Sequence, residues 1–237
     1  MQKDDPRLVN RVGLSRKHIL AAVAESVARL GTYIDVLQIH RLDRACDPVE
    51  IMRALNDVVE AGHVRYLGAS SMAAWEFQKL QYIADRHGWH KFISMQNYYN
   101  LLHREEEREM IPLCRDLGVG IVPWSPLARG VLAHPWDDRS SKREQTDKLL
   151  KNMIRGGGKE AAVDQVLVDR VAEVAAKRGV AMAVVGLAWC LHKQVYPITG
   201  LNTKDRIDQA VGGIQFRLTD EELGYLEEPY EPKAVTY

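Results

Sequence analysis

Apolar and polar residues follow a repeating order along the chain: a short β-rich apolar run, a loop, and an amphipathic helix that ends in glycine. The first helix follows Ser15, a typical N-cap residue, and stops at Gly31. Apolar residues at helical spacing predict its buried stripe: Ile19, Val23, Val27 and Leu30. The run at 34–40 then predicts the first strand.

Four further β-rich runs lie at residues 64–70, 92–97, 120–125 and 196–201. Together with the run at 34–40 they predict five strands. The helix after the first strand has a strong N-terminal signal, with Asp47 as the cap, Pro48 in the first turn and Glu50 at the capping-box position. A second capping box, Thr219 with Glu222, predicts a short helix near the C-terminus. Two other helices are predicted to bury stripes of apolar residues, listed in chain order: Trp75, Leu80, Ile83; Met110, Leu113, Leu117.

The segment 128–161 interrupts this repeat. It is rich in Arg, Lys, Asp, Ser and Gly, and it includes Gly156-Gly157-Gly158, a composition that predicts a long surface loop. Helices are predicted again over 163–178, 181–192 and 203–211. Because the repeat resumes, the segment is interpreted as an excursion within one domain, 1–237.

Strands that alternate with helices predict an α/β protein with a parallel sheet and right-handed crossovers. An open doubly wound sheet and a closed (β/α)₈ barrel both satisfy that rule. The barrel needs eight strands, and the pattern predicts five. The pattern alone therefore favours the open sheet, and longer motifs must decide.

Composition excludes several classes of protein. Lys plus Arg and Asp plus Glu number 32 each, so the net charge is zero and the positive field of a nucleic-acid binder is absent. The three cysteines have no metal-ligand or disulfide-framework spacing, which predicts a reducing compartment and no metal site. The polar N-terminus has no signal core, and the most apolar run, 180–189, is about half a membrane span. We expect a soluble cytoplasmic protein.

The carboxyl ends of parallel strands form the ligand site of α/β proteins. Each predicted strand delivers polar or aromatic residues there, listed in chain order: His40, Arg41, Asp43; Ser70, Ser71; Gln96, Asn97; Trp124, Ser125, Arg129; Gly200, Leu201, Asn202, Thr203, Lys204, Arg206. Amides and hydroxyls suit a carboxamide, an indole offers a face for a nicotinamide ring, and two cations at a helix start suit phosphate. These types together point to a dinucleotide, although no GxGxxG motif follows any strand.

Each residue also has a structural interpretation. His40 can be a hydrogen-bonded strand-end residue, and Trp124, between two prolines, can be a packing residue. Lys204 and Arg206 can be an ordinary solvated helix start. Only the joint pattern favours function.

Five motifs in order carry a resemblance to the aldo-keto reductase superfamily: RLGTYIDVLQIHRLD, VRYLGASS, SMQNYYNLLHRE, GIVPWSPLARGVL and PITGLNTKDRIDQAV. The match runs from about Val12 to the C-terminus. SPLARGVLAHPW and LEEPYEPKAV resemble the microbial and fungal branch, including the aldo/keto reductase 2-like proteins. The resemblance implies a (β/α)₈ TIM barrel and NADP(H)-dependent reduction of an aldehyde or ketone to an alcohol.

The resemblance also implies roles for individual residues. His40 is the catalytic histidine that orients and polarises the carbonyl. The residues for the cofactor, in order from carboxamide to adenosine, are Ser70, Ser71, Gln96, Trp124, Ser125, Leu127, Arg129, Leu201, Thr203, Arg206 and Gln209. Gly200 stands where many members carry a Lys for the 2′-phosphate.

Family members also use an Asp, a Tyr and a Lys from their first strands. Residues 1–11 contain no strand and no Asp…Tyr-Gly pattern, and Lys3 lies in a polar tail. The resemblance therefore implies an N-terminally truncated barrel that retains five strands and lacks the first three. We expect exposed apolar surface and poor stability unless an oligomer covers the gap. The loss of a general acid costs about 10²–10⁴-fold in rate.

Three functions remain open: a carbonyl reductase of secondary metabolism, a non-catalytic NADPH-binding regulatory subunit, and an inactive remnant. The expected partners are a small carbonyl or alcohol substrate and a second copy of the chain, with no nucleic acid and no membrane. Three aromatic residues are candidates for the substrate pocket, although packing explains each equally well: Tyr98, Tyr99 and Trp136.

Overall fold

The computed structural model describes residues 11–147, 150, 154 and 158–235. Contacts divide the chain into two compact units. Among the described residues, unit 1 comprises 11–96 and Glu109–Gly120, and unit 2 comprises Asn97–Arg108 and 121–235. The first ten residues, in which the sequence predicts no strand, lie outside the described residues.

Unit 1 has the predicted alternation of strands and helices. Its elements are α1 (Arg16–Leu30), β1 (Ile34–Gln38), α2 (Pro48–Glu60), β2 (Val64–Ser70), α3 (Ala74–His87), β3 (Phe92–Gln96) and α4 (Met110–Asp116). The sheet has the order β1-β2-β3-β4, and β4 (Gly120–Ile121) enters it at the last residue of unit 1. β1 pairs with β2, and β2 with β3, in parallel. The α/β class with a parallel sheet is confirmed.

The helix ends of unit 1 form where the sequence predicts them. Ser15 accepts a hydrogen bond from the His18 N–H, and Gly31 ends α1 in the left-handed conformation. The Asp47 side chain accepts a hydrogen bond from the Val49 N–H and so caps α2, which begins at Pro48. Glu50 differs from the prediction, because it accepts a hydrogen bond from the Arg16 N–H instead of from the cap of its own helix. The second helix is therefore joined to the start of the first.

The helices of unit 1 bury one side of the sheet, and the opposite side stays partly exposed. Phe92 is buried, whereas the paired residues Val36 and Tyr66 are exposed. A register shift between the pairings of Leu67 and Gly68 leaves Ile93 exposed as well. Unit 1 thus presents apolar side chains on one sheet face.

The prediction of burial is wrong for three residues, which are exposed: Leu30, Trp75 and Leu117. Leu30 and Leu117 lie at helix ends, where the chain leaves the sheet. Trp75 lies one position off the buried stripe of α3, which runs through Ala74, Phe77, Leu80 and Ala84. Spacing of three and four residues from Ala74 places Phe77 inward and Trp75 outward.

Unit 2 is mainly helical. Its α-helices are α5 (Lys142–Thr146), α6 (Gly158–Arg178), α7 (Met182–His192), α8 (Lys204–Gly212) and α9 (Asp220–Glu227). Short 3₁₀ helices span Glu105–Glu107, Ala128–Ala133 and Gly213–Gln215. The apolar α7 packs against α6 and against the last two 3₁₀ helices, and α9 packs on α6. The capping box of Thr219 and Glu222 is confirmed.

The predicted fifth strand at 196–201 is wrong as a regular strand. The Tyr196 N–H donates to the Ile121 carbonyl at 2.9 Å and the Ile198 N–H donates to the Pro123 carbonyl at 3.0 Å, which is the spacing of a parallel ladder. The ladder does not continue as a regular strand because Pro123 has no N–H to donate to the neighbouring segment. The predicted strand at 120–125 shortens to Gly120–Ile121 for the same reason.

The segment predicted as a surface loop, 128–161, contains a 3₁₀ helix, α5 and the start of α6. Several of its described apolar side chains are buried: Val131, Leu132, Trp136, Leu150 and Ile154. Residues 148, 149, 151–153 and 155–157, including Gly156 and Gly157, lie outside the described residues.

The C-terminal segment of unit 2 is held by polar contacts far apart in sequence. The Tyr230 hydroxyl donates to Glu105 at 2.8 Å and accepts from the Arg104 N–H at 2.8 Å. Lys233 forms a buried ion pair with Asp164 at 2.5 Å. These contacts fix residues 230–233 onto the 3₁₀ turn and α6.

Candidate functional site

The predicted site residues are divided between the two units. His40, Ser70, Ser71 and Gln96 belong to unit 1, and the predicted residues from Trp124 onwards belong to unit 2. Each set is described within its own unit.

In unit 1, two serines and a glutamine meet at the carboxyl ends of β2 and β3. Ser70 pairs in register with Gln96, and its hydroxyl donates to the Gln96 main-chain carbonyl at 2.7 Å. The Ser71 N–H and hydroxyl reach the same oxygen at 3.1 Å and 3.4 Å. Both serines are buried. The parallel register therefore brings these three predicted residues together.

His40 follows β1 and is exposed. The adjacent Arg41 connects it to the serines, because its guanidinium donates to the His40 carbonyl at 2.7 Å and to the Ser70 hydroxyl at 3.2 Å. Partial burial lowers the pKa of Arg41 from its ordinary value, but an arginine stays protonated at neutral pH. A cation thus lies beside the predicted carboxamide site.

Asp43 has a structural role in this loop. Its carboxylate accepts hydrogen bonds from the Leu14 N–H at 3.0 Å and the Ala45 N–H at 3.1 Å. The hydrogen bond from Leu14 is the main cause that lowers the pKa of Asp43 below its usual range. The structure thus uses this polar strand-end residue to close the loop before α2.

In unit 2, Trp124 stacks on Tyr98. Their ring centroids are 4.4 Å apart and the rings are inclined by 24°. The Trp124 N–H donates to the Asn97 carbonyl at 2.8 Å, and the Asn100 side chain donates to the Ser125 carbonyl at 3.1 Å. Trp124 is only partly buried. The segment after β3 therefore sets the position of two predicted cofactor residues.

Unusual backbone angles occur mainly at predicted cofactor residues. Among the described non-glycine residues, positive φ occurs at Ser71 (25°), Ser125 (51°), Ala128 (47°), Arg129 (59°) and Gln194 (55°). Residues with a Cβ atom rarely adopt positive φ because it brings steric strain. Such strain tends to occur at functional sites. The loop after Trp124 is the main location of this strain.

Arg129 and Leu127 have partners within unit 2. Both Nε and one terminal nitrogen of Arg129 contact one carboxylate oxygen of Asp147, at 2.7 Å and 2.6 Å. The other Asp147 oxygen accepts from the Leu150 N–H at 3.2 Å. Leu127 packs against Gly186. A Cβ atom added to Gly186 would lie 2.9 Å from the Leu127 side chain. Arg129 would have to exchange Asp147 for any phosphate that it binds.

The remaining predicted residues lie at the exposed start of α8. Thr203 caps the helix by accepting from the Arg206 N–H at 3.3 Å. The Arg206 guanidinium donates to Asn202 at 2.9 Å, and Lys204 pairs with Asp208 at 2.5 Å. Gly200, Leu201 and Gln209 are also exposed. Two cations and a capped helix N-terminus therefore face solvent together.

Sequence reasoning placed Asn97 at a strand end but missed Glu106 and the burial of both residues. Both residues are buried, and neither polar atom of the Asn97 side chain has a hydrogen-bond partner among the described residues. Burial raises the pKa of Glu106 to about 7; the nearby Asn97 amide opposes this rise, and the charge of Glu105 adds to it. A glutamate in a charged run gives no sequence signal for burial.

The aromatic candidates for the substrate pocket are packed in unit 2. Tyr98, Tyr99 and Trp136 are all buried. The Tyr99 hydroxyl donates to Glu107 at 2.5 Å, and its ring contacts Trp189. A polar cleft of about 290 Å³ lies nearby, lined by Arg104, Glu105, Glu107, Arg108, Glu227, Tyr230 and Pro232.

In the described part of the chain, no group of three or more His, Cys, Asp or Glu residues has the arrangement of a metal site. No single helix in the described ranges is long and apolar enough to cross a membrane, although α6 and α7, bent by 102°, meet the length and composition criteria as a pair.

The βα repeat and the four-stranded sheet define an α/β protein with a parallel sheet, and the predicted site residues Ser70, Ser71 and Gln96 lie at the carboxyl ends of its strands. The sequence profile of the Aldo/keto reductase family matches residues 5–231, and the chain belongs to that family.

Fungal relatives are highly similar to the chain. Versiconal hemiacetal acetate reductase of Aspergillus parasiticus is 65% identical over 96% of this chain and 66% of its own length. A Schizosaccharomyces pombe protein provisionally named an aryl-alcohol dehydrogenase is 54% identical over 98% of this chain and 65% of its own. An aldo-keto reductase of Alternaria alternata is 46% identical over 94% and 60%. The chain thus spans less than two thirds of the length of these relatives.

Proposed function

We propose that this chain is an NADP(H)-dependent oxidoreductase that reduces a small aldehyde or ketone to an alcohol in cytoplasmic secondary metabolism. Family membership supports the reaction class, and the name of the Aspergillus relative supports a carbonyl-derived substrate. The proposal includes the (β/α)₈ barrel that the family resemblance implies, with the four-stranded parallel sheet as one part of it. It also includes assembly with a second copy of the chain.

The observation that carries the cofactor proposal is the start of α8. A helix N-terminus attracts anions because its first N–H groups lack partners within the helix. Here Arg206 and Lys204 add two exposed cations to that end. Arg206 is held by Asn202 and the Thr203 cap, both through exposed contacts. Exchange of such contacts for a phosphate costs little, so the donors present fit the adenosine phosphate of NADP(H).

The strand ends of unit 1 fit a carboxamide. The Ser70 hydroxyl donates to the Gln96 carbonyl and accepts from Arg41, which leaves one lone pair for a further donor. The Ser70 hydroxyl can therefore accept from an amide N–H₂, and the Gln96 side chain can complement either end of the amide.

In the proposed reaction, bound NADPH supplies the hydride that reduces the carbonyl carbon. His40, exposed after β1, donates a hydrogen bond to the carbonyl oxygen and orients it. The oxygen takes up a proton from solvent water as the alcohol forms. Trp124 offers its partly exposed indole to the nicotinamide ring.

A non-catalytic, NADPH-binding regulatory subunit is the second candidate, and it requires that the cofactor binds without turnover. An inactive remnant is the third candidate, and it requires that the cofactor does not bind.

Fluorescence titration of the purified chain with NADPH and with NADH, followed through its five tryptophans, tests the proposal. Arg206→Gln is expected to weaken NADPH binding about tenfold, the equivalent of one charge-assisted hydrogen bond, and to change NADH binding little. Arg29→Gln, an exposed arginine of α1 in unit 1, is the matched control and should bind both cofactors normally.

Consumption of NADPH with a panel of aldehydes separates the candidates. Saturable binding with turnover supports the reductase, and binding without turnover supports the regulatory subunit. If neither cofactor binds, the proposal is wrong and the inactive remnant stands.

A further inference from the structure

The main-chain carbonyl of Ser125 joins two segments of unit 2. Its oxygen accepts hydrogen bonds from the Ala128 N–H at 2.9 Å and from the Asn100 side-chain amide at 3.1 Å. A carbonyl oxygen has two lone pairs, so these two donors use both of them. The first bond closes a turn within the loop after β4, and the second ties that loop to the segment after β3.

Asn100 is held in place on its own side of this contact. The residue is 0% exposed, and its Oδ1 accepts a hydrogen bond from the Leu102 N–H at 2.9 Å. Two main-chain hydrogen bonds, at 3.2 Å and 3.0 Å, join Asn100 to His103. Because Oδ1 accepts from Leu102, the Nδ2 group of the same amide faces the Ser125 carbonyl. The amide is therefore a donor of fixed orientation.

The loop that Asn100 contacts has an unfavourable backbone conformation. Its φ angle is positive at Ser125 (51°), Ala128 (47°) and Arg129 (59°). The Cβ atom of each residue disfavours this region, so such a loop keeps its shape only where surrounding contacts impose it. The hydrogen bond from Asn100 is a contact of this kind, because it holds the carbonyl of the first strained residue.

The same loop has a polar group left for a ligand. Among the described residues, the Ser125 hydroxyl has no hydrogen-bond partner, and Ser125 is partly exposed. The proposed function assigns Ser125, Leu127 and Arg129 to the part of the cofactor between the carboxamide and the adenosine, where a dinucleotide carries its diphosphate. The position of these groups depends on the strained loop.

We propose that Asn100 is a positioning residue, which holds the loop 125–130 in the shape that receives the diphosphate of NADP(H). This inference rests on the proposed function. Asn100 acts through the Ser125 carbonyl and not by direct contact with the cofactor. Without its amide the loop adopts other conformations, and the free-energy cost of ordering the loop is then added to binding.

Two ligands that differ in the diphosphate separate this role from a general structural one. 2′-Phospho-ADP-ribose contains the diphosphate, whereas adenosine 2′-monophosphate lacks it. Asn100→Ser keeps an oxygen that can accept from the Leu102 N–H but is too short to reach Ser125. In calorimetric titrations this variant should bind 2′-phospho-ADP-ribose about fivefold more weakly, the equivalent of one hydrogen bond. It should bind the monophosphate as the wild type does.

Asn56→Ser is the matched control. Asn56 is a buried asparagine of unit 1, and its side chain also holds a distant main-chain group, because it accepts from the His90 N–H at 3.1 Å. Its loss should lower stability without changing the ratio of the two affinities. If Asn100→Ser does not fold, Asn100→Asp, which has the same shape and keeps Oδ1, makes the same comparison without the Nδ2 donor.

Hydrogen exchange without any ligand measures the hold on the loop directly. The Ala128 N–H donates to the same Ser125 carbonyl as Asn100 does. In Asn100→Ser the Ala128 amide should exchange faster than in the wild type, because the loop opens more often. In Asn56→Ser its exchange relative to neighbouring amides of unit 2 should stay as in the wild type.

The outcomes distinguish the inference from the proposed function. An affinity ratio that is unchanged in the Asn100 variants, while the wild type binds both ligands, overturns the inference alone, and so does unchanged exchange at Ala128. A wild-type chain that binds neither ligand overturns the proposed function, and the inference fails with it.

Discussion

Unit 1 and unit 2 are stabilised in different ways. In unit 1, Ser70 and Gln96 meet because two parallel strands pair in register, and the strands follow from a local repeat of apolar residues. In unit 2, the important contacts join residues far apart in sequence, such as Lys233 with Asp164, 69 positions away, and Tyr230 with Glu105, 125 positions away. Regular patterns thus organise the first unit, and specific polar pairs organise the second.

The charged cluster of unit 2 illustrates the difference. Glu227 accepts from Trp189 at 2.8 Å and pairs with Lys193 at 2.8 Å and Arg104 at 3.0 Å. Arg104 also pairs with Glu107 at 2.8 Å. Because these partly buried charges share partners, the loss of one weakens the pairing of the others. We therefore expect unit 2 to depend on individual polar residues and unit 1 on apolar burial.

The largest expected effect is in unit 1. Phe92→Ala should lower the free energy of unfolding by about 3–5 kcal/mol, because Phe92 is only 2% exposed and the loss of its ring leaves a buried cavity. Its neighbour Ile93 is 44% exposed, so Ile93→Thr should change stability by about 0.5 kcal/mol or less. Urea unfolding of both variants measures the difference. Equal losses would mean that the exposed sheet face is covered in solution.

Removal of the buried lysine in unit 2 comes next. Lys233→Ala should cost about 3 kcal/mol, because it leaves the Asp164 carboxylate, 1% exposed, without this cation. Hydrogen exchange should show the loss of protection at 228–235 first. Lys159→Ala is the control: its pair with Glu231 holds the same segment, but the lysine is 79% exposed, so the cost should be about 1 kcal/mol or less. A larger effect at Lys159 would contradict the dependence on burial.

The smallest expected effect is a pH dependence in unit 2. The pKa of Glu106 is raised from 4.5 to about 7 on folding, so its stabilising contribution is complete below pH 4.5 and is lost as the pH rises through 7. Between pH 5 and pH 8 the wild type should lose about 2 kcal/mol through this group. Glu106→Gln should remove that loss in urea unfolding curves. Glu160→Gln, an exposed carboxylate on α6, should leave the pH profile as in the wild type.

The sequence predicted the helices of unit 1 and their ends well. Ser15, Asp47 and Gly31 form their predicted caps because capping depends on a few adjacent residues. The prediction that Trp75 is buried was wrong because the adjacent residue Ala74 also begins a stripe with helical spacing. Only packing decides which of the two stripes is buried. Local rules therefore determine where a helix begins more reliably than which face it buries.

The candidate site was predicted by residue type and not by contact. The meeting of Ser70, Ser71 and Gln96 followed from parallel pairing, whereas the pairing of Arg129 with Asp147 depends on a loop whose path has no period. Tyr98 appeared in the sequence as a candidate for the substrate pocket, and the stack with Trp124 and His103 became visible only in three dimensions.

The sequence by itself determined the βα order, the helix caps, the family and the polar residues at the strand ends, because these depend on local spacing and on motifs. Tertiary structure alone decided that Trp124 stacks on Tyr98, which carboxylate holds Arg129, and that Glu106 and Asn97 are buried together. These features come from residues brought together by chain folding, and burial sets their energies through desolvation, which no local pattern encodes.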